Sequence, residues 1–277
     1  MIPLRIADCR LRIDGEKGVP CAAVVCAAGA STRMGGKVRK PYLLLRRQPV
    51  LTWTLKSLSQ VAGLRQIVIV TRPEDRATAQ AAARRAKLPR RIALTFADGG
   101  ARRQDSVCNG LQAVSPECAL VLIHDAARPF PEQQAMAAAC VQARLMGAAI
   151  LASRVKDTVK REAEDSSPAT RHPPPVTLET VPRLGLWLAQ TPQVFRRRLL
   201  LGLFERLVRE APEREVTDDA AVCELYGQPV ALVEAPPTNL KITRPEDVLL
   251  AEAYLEAGLV GSGALPQRQS LRKRQGN

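Results

Sequence analysis

The sequence predicts an α/β fold, a doubly wound and mostly parallel sheet with a protruding β-arm. Three observations carry that prediction. Short apolar runs alternate with helical patterns of ten or more residues, as strands do when crossover helices join them. Hydrophobic residues are 46% and charged residues 25% of 277 positions, enough to fill the core of one large domain. A single stretch, Val155 to Arg183, breaks the rhythm with two alternating segments around a polar, proline-rich tip, which reads as an arm.

Taken in order, residues 1–18 form a loose N-terminal extension containing Gly15 and Gly18. Ala22 to Ala27 is an apolar run that reads as a buried strand. A small, basic loop follows from Ala28 and Gly29 to Lys40 and Pro41. Val50, Trp53, Leu55 and Leu58 recur at helical spacing over 49–60. Gln66 to Val70 is a β-branched strand, and Pro73 suits the first turn of a helix running to Ala86. Arg91 to Phe96 predicts a strand, Arg103 to Ala113 a helix, and Ala119 to Ile123 a strand. Pro131 to Met146 predicts a helix and Ala148 to Ala152 a strand.

In the arm, Lys156 to Lys160 and Val176 to Val181 alternate like strands, with 161–175 as the tip. Leu186 to Ala189 predicts a strand and Phe195 to Glu210 an amphipathic helix. Asp218 to Tyr226 predicts a second helix, with Thr217 as its natural cap. Val230 to Glu234 and Leu240 to Ile242 read as short strands, and Pro245 to Glu256 as a closing helix. Residues 19–257 are thus one domain, and 258–277 a flexible basic tail.

Charge narrows the partners. The formal net charge is +14, and Arg268, Arg272, Lys273 and Arg274 of the tail supply only a part of it. A body that basic suits an anionic ligand, and it also raises non-specific affinity for nucleic acid. A basic nucleic-acid-binding protein is therefore a rival of a different class, supported by the tail and the cluster from Arg84 to Arg91. Aromatic residues are only 3%, which leaves few stacking platforms, so no specific nucleic acid is expected as a partner. The seven cysteines form no C-x-x-C pair, and there are two histidines, His124 and His172, which argues against zinc. Scattered thiols in apolar surroundings suit a reducing compartment. No charged-then-apolar leader opens the chain and no apolar run approaches a membrane span, so the expectation is a soluble, cytoplasmic protein.

Five stretches carry chemistry. The loop after the first strand contains Ser31, Arg33, Gly35, Gly36, Lys37 and Lys40. Its small residues let the backbone approach a phosphate, and its spacing matches neither the P-loop nor the dinucleotide fingerprint. Gly99 and Gly100 precede Arg103 and Ser106 at a helix start, where free N–H groups can read a polar ligand or Ser106 can simply cap. His124, Asp125 and Arg128 end a strand. A carboxylate there can hold a hard divalent cation bridging phosphates, or can merely be solvated. Trp187 to Gln193 forms a specific-looking edge, Thr217 and Asp218 open a helix, and Asn239 to Asp247 ends a strand with Lys241.

Together, and in this order, these stretches closely resemble the 2-C-methyl-D-erythritol 4-phosphate cytidylyltransferases, over about residues 20 to 257. The run from His124 to Pro129 is shared by that family and its sister, the ribitol-5-phosphate cytidylyltransferases. The resemblance implies a Rossmann-like nucleotidyltransferase fold and transfer of a cytidylyl group from CTP to a polyol phosphate. Arg33 and Lys40 match the pair that stabilises charge at the α-phosphorus, and Asp125 matches the magnesium-binding aspartate. Ala27, Ala28, Gly29, Gly99, Gly100, Arg103, Ser106, Ala126 and Arg128 match nucleotide-contacting positions. Thr217, Arg183 and Lys241 match the groups that hold the substrate phosphate. The resemblance also implies a homodimer through the 156–183 arm, with Arg183 serving the neighbour's site. Ser31, Thr32, Pro41, Ala101 and Pro182 depart from the family pattern, and none removes a charge the chemistry needs.

Overall fold

The computed structural model describes residues 18–29, 38–162 and 178–260. Its centre is a seven-stranded sheet. The strands are β1 (Cys21–Cys26), β4 (Leu64–Thr71), β5 (Ala93–Asp98), β6 (Leu120–Asp125), β7 (Ala148–Arg154), β10 (Trp187–Arg196) and β11 (Ala231–Glu234). A small hairpin supplies β2 (Leu44–Leu45) and β3 (Gln48–Pro49), and the arm supplies β8 (Val159–Glu162) and β9 (Leu178–Val181). The order across the sheet is β11-β7-β10-β6-β1-β4-β5. β1 pairs in parallel with β4 and β6, β4 with β5, and β7 with β11, while β10 runs antiparallel to both β6 and β7. The sheet is thus mostly parallel, as expected.

β1 shows why it sits at the centre. All five residues from Cys21 to Val25 are buried, and they alternate between two cores. Ala23 and Val25 join a cluster with Leu51 and Leu55 of α1 (Val50–Leu58), Ala79 and Ala83 of α2 (Arg76–Ala86) and Ala139 of α4 (Gln133–Met146). Ala22 and Val24 join Leu111 of α3 (Arg103–Gln112), Phe204 of α5 (Arg197–Glu210) and Val222 of α6 (Asp219–Leu225). A strand covered on both faces has no polar side, which explains its continuous apolar run. α3 lies close on the sheet because of Gly110: a Cβ there would fall 2.4 Å from Val24 Cγ1 and 2.7 Å from Val70 Cγ2.

Several expectations are corrected. The predicted strand over 186–189 and helix from Phe195 are instead one ten-residue strand, β10, with α5 beginning at Arg197. Pro192 reads as a break, and the apolar residues after it fit a helical period. In the sheet, Phe195 is fully buried between Val121 and Ala148, and a register shift between Gln190 and Gln193 accommodates the proline. Leu240 to Ile242 is no strand: Ile242 donates its N–H to the Ala127 carbonyl at 2.9 Å from an irregular segment. Pro73 opens a 3-10 turn, Pro73–Asp75, ahead of α2. The cap of α6 is Asp218, whose carboxylate accepts from the Ala221 N–H, and not Thr217. The closing helix, α7 (Pro245–Glu256), lies where expected.

The arm pairs as predicted at its root. β8 and β9 run antiparallel, Val159 opposite Val181 and Glu162 opposite Leu178, and most of their residues are exposed. The tip from 163 to 177, the extension over 1–17, residues 30–37 and the tail from 261 lie outside the described residues.

Candidate active site

The loops that follow the parallel strands emerge along one edge, where ligands bind in open α/β sheets. Cys26 at the end of β1 is in register with Asp125 at the end of β6 and with Val70 in β4. Thr71 then joins two candidate segments. Its carbonyl accepts the Gly99 N–H at 3.0 Å, and its hydroxyl lies 3.0 Å from the Tyr42 hydroxyl. Tyr42 belongs to the turn Lys40–Tyr42, which Arg39 ties to Glu74 and Asp75 at 2.9 and 3.2 Å. Lys40 and the Gly99 turn are therefore anchored to the same strand end.

The first loop and the glycine turn approach closely. A Cβ on Gly99 would lie 2.4 Å from the Ala28 Cβ, so a larger residue would push the two apart. The Gly100 N–H donates to Ser106 Oγ at 2.9 Å, and that hydroxyl lies 3.3 Å from the Arg102 carbonyl. Ser106 is buried and braces the turn from within. The N–H groups of Ala27 and Ala126 donate to Val70 and Cys26 carbonyls at 2.7 and 3.1 Å. Arg72 Nε donates to the Ala28 carbonyl at 3.0 Å, and Gly29 is exposed.

Asp125 is the electrostatic centre. Lys241 Nζ lies 2.8 Å from its Oδ2, Arg128 Nε 3.8 Å from the same oxygen, and Arg103 Nη2 3.9 Å from Oδ1. Its side chain is 14% exposed. Burial alone would raise its pKa, but Lys241, Arg103 and Arg128 outweigh it and bring the carboxyl down to about 2. Three cations around one carboxylate leave an excess of positive charge, which suits a polyphosphate. One carboxylate at a phosphate site also fits a magnesium ion that takes its remaining ligands from substrate and water. Among the described residues no group of three or more His, Cys, Asp or Glu could form an all-protein cage.

Each cation is held by its own element. Arg103 makes a bidentate pair with Asp219, Nη1 to Oδ1 at 3.1 Å and Nη2 to Oδ2 at 2.7 Å. Burial would lower the Arg103 pKa, yet Asp219 and Asp125 hold it above the usual arginine range. Arg128 Nη1 donates to the Asn239 carbonyl at 2.7 Å, which joins the β6 edge to the segment bearing Lys241. Thr54 Oγ1 of α1 lies 2.9 Å from the Ala126 carbonyl, and Ser57 Oγ 2.8 Å from that of Pro129, so α1 clamps the 126–129 turn.

His124 is fully buried and its pKa falls to about 4, burial being the main cause. Its Nε2 lies 3.0 Å from the Arg128 carbonyl and its Nδ1 3.0 Å from Thr191 Oγ1. A carbonyl only accepts, so Nε2 carries the proton of the neutral ring.

The structure thus gathers Asp125, Lys241, Arg103 and Arg128. It sets Arg183 apart at the arm root, where Nη1 donates to the Lys156 carbonyl. Arg183 lines a cavity of about 910 Å³ there, with Ser153, Lys156, Asp157, Leu188 and Glu234. Thr217 is exposed just ahead of the α6 cap. Arg33 lies outside the described residues. The supporting residues Asp219, Gln193, Thr191 and Asn239 were not expected as part of the site. Their sequence signal is polarity within otherwise apolar or capping segments, and all four are buried.

Comparison with known proteins agrees with this geometry. The family model for 2-C-methyl-D-erythritol 4-phosphate cytidylyltransferase matches residues 21–257. A protein of that name from Desulforamulus reducens is 39% identical over 236 residues, covering 84% of this chain and 95% of the relative. The crystal structure of 4-diphosphocytidyl-2C-methyl-D-erythritol synthase from Anaerococcus prevotii is 30% identical with a TM-score of 0.71, covering 86% of this chain and 96% of that one. A 2-C-methyl-D-erythritol 4-phosphate cytidylyltransferase structure from Thermus thermophilus is 32% identical with a TM-score of 0.65, covering 86% and 99%. The chain belongs to the 2-C-methyl-D-erythritol 4-phosphate cytidylyltransferase family.

Proposed function

We infer that the chain transfers the cytidylyl group of CTP to 2-C-methyl-D-erythritol 4-phosphate and releases pyrophosphate, a step of isoprenoid precursor synthesis. The observation that carries this is the Asp125, Lys241, Arg103 and Arg128 cluster at the sheet edge of a chain in this family. The substrate phosphate oxygen forms the new bond to the α-phosphorus, and the bond from that phosphorus to the pyrophosphate oxygen breaks. The phosphate is itself the nucleophile, so the protein has to position charges and neutralise them rather than supply a covalent group.

Ala27, Ala28, Gly29, Gly99, Gly100, Arg103, Ser106, Ala126 and Arg128 form the nucleotide side in this reading. Arg33 and Lys40 neutralise charge that builds at the α-phosphorus. Thr217, Lys241 and a partner-supplied Arg183 hold the polyol phosphate. Asp125 would hold magnesium, which when bound supplies charge neutralisation and orientation of the phosphates. Lys241 now compensates the Asp125 carboxylate at 2.8 Å. A cation arriving at Asp125 would take over that compensation and leave the Lys241 ammonium for an incoming phosphate.

A homodimer through the arm belongs to the same reading. Its support is that β8 and β9 bury almost none of their residues within one chain, since a two-stranded hairpin has little stability alone. Among the described residues no helix is long and apolar enough to cross a membrane. A cytoplasmic location fits the free thiols of Cys21, Cys26, Cys108, Cys118, Cys140 and Cys223. The test is pyrophosphate release from each of the four nucleoside triphosphates with methylerythritol phosphate and with ribitol 5-phosphate. Turnover confined to CTP with methylerythritol phosphate is expected. Preference for ribitol 5-phosphate would overturn the substrate assignment.

A further inference from the structure

β10 holds three buried polar side chains within four residues, Gln190, Thr191 and Gln193. Polar groups persist in a core when they are hydrogen-bonded, and each of these is bonded to a segment that carries a charge of the site. Gln190 Oε1 accepts from Asn239 Nδ2 at 2.9 Å, two residues before Lys241. Gln193 Oε1 accepts the N–H groups of Asp219 and Ala220, each at 3.0 Å, which fixes the helix start that holds Arg103. Thr191 serves Asp125 itself.

The β10 and β6 ladder ends at the pair Gln193 and Ile123. Beyond it the Thr191 side chain takes over. Its hydroxyl oxygen accepts the Asp125 N–H at 3.0 Å. Its own hydrogen has one directed use: Nδ1 of neutral His124, 3.0 Å away, is the bare nitrogen and accepts it. The Thr191 carbonyl accepts the second Asn239 Nδ2 bond at 2.9 Å. One residue thus ties the main chain at Asp125 to His124, and through Asn239 to the segment bearing Lys241.

We propose that Thr191 is a positioning residue of the cytidylyl transfer, its hydroxyl fixing the Asp125 main chain and thereby the direction of the Asp125 carboxylate. This rests on Asp125 being needed for turnover. Valine has nearly the shape of threonine but leaves the Asp125 N–H without its acceptor and His124 Nδ1 without its donor.

The experiment uses the full chain with Thr191→Val, Thr191→Ala and Thr191→Ser, alone and combined with Asp125→Asn. Steady-state kinetics and circular dichroism are the readouts. For a folded Val or Ala variant, kcat should fall about 10- to 100-fold, the usual cost of losing a support behind a catalytic ligand, with KM for CTP little changed. Thr191→Ser should restore most of kcat. In the Asp125→Asn background the same change should cost nothing further, since it acts through the missing group. Wild-type kcat in Thr191→Val or Thr191→Ala, no rescue by Thr191→Ser, or a full additive loss in the double variant would overturn the proposal. Loss of the fold in both Val and Ala variants would assign Thr191 to stability and overturn it as well. An active Asp125→Asn enzyme would instead remove the premise about Asp125, a result distinguishable from failure at Thr191.

Discussion

Lys241 Nζ and Asp125 Oδ2 lie 2.8 Å apart, joining a segment near the C-terminal helix to the end of a central strand. They are neighbours because Arg128 binds the Asn239 carbonyl and Ala127 receives the Ile242 N–H. The candidate metal ligand and a candidate phosphate group therefore form one electrostatic unit.

Asp125→Asn tests that unit directly. The amide keeps the shape and loses the charge, so magnesium is held more weakly. Removal of a group behind a metal ligand already costs 10- to 100-fold, so loss of the ligand should lower kcat by more than about 100-fold. Circular dichroism should report an unchanged fold. Wild-type turnover in excess chelator would remove the metal requirement.

Lys40→Ala and Arg33→Ala should lower kcat by about 100- to 1000-fold if the two cations act on charge that develops in the transition state. CTP affinity, measured by calorimetry, should change far less. Normal kcat with weakened CTP binding would assign them to the ground state instead.

The arm should complement in trans. Arg183→Ala and Lys241→Ala chains are each expected to be nearly inactive, and mixing them should restore part of the activity. One site of the mixed dimer keeps both residues. A mixed dimer shown to form and still inactive would rule out a shared site, and a fully active monomer at assay concentration would rule out any need for the arm.

His124 makes stability depend on pH. Its folded pKa is depressed to about 4, below an unfolded value of about 6.5. The unfolded chain then binds the proton more readily, so stability is fully present above about pH 6.5 and is lost as pH falls toward 4. The difference corresponds to roughly 3 kcal/mol. Urea midpoints should fall across that window in the wild type and stay flatter in His124→Gln. Asp125 titrates elsewhere, its contribution fading only below about pH 3.9 and toward 2.

Much of the fold was legible because its signal is local. The buried run of β1 and the Ala-rich pattern of α4 appear in any short window, and the structure keeps both. β10 was misread because a helical period and a strand lying between two others give similar apolar spacing after Pro192. Only the partners β6 and β7 decide between them.

The same division runs through the site. Sequence by itself determined the family, the order of the motifs, and Asp125, Arg103, Arg128 and Lys241 as the charges to watch, because residue type and spacing are written in the chain. Tertiary structure alone decided that Asp219 holds Arg103 at 2.7 Å, that Thr191 receives the Asp125 N–H at 3.0 Å, and that Arg183 stands at the arm root away from Lys241. These relations join residues 27 to 116 positions apart. No local pattern encodes such a pairing. It exists only once the sheet order places β10 beside β6 and the loops of separate strands meet at one edge.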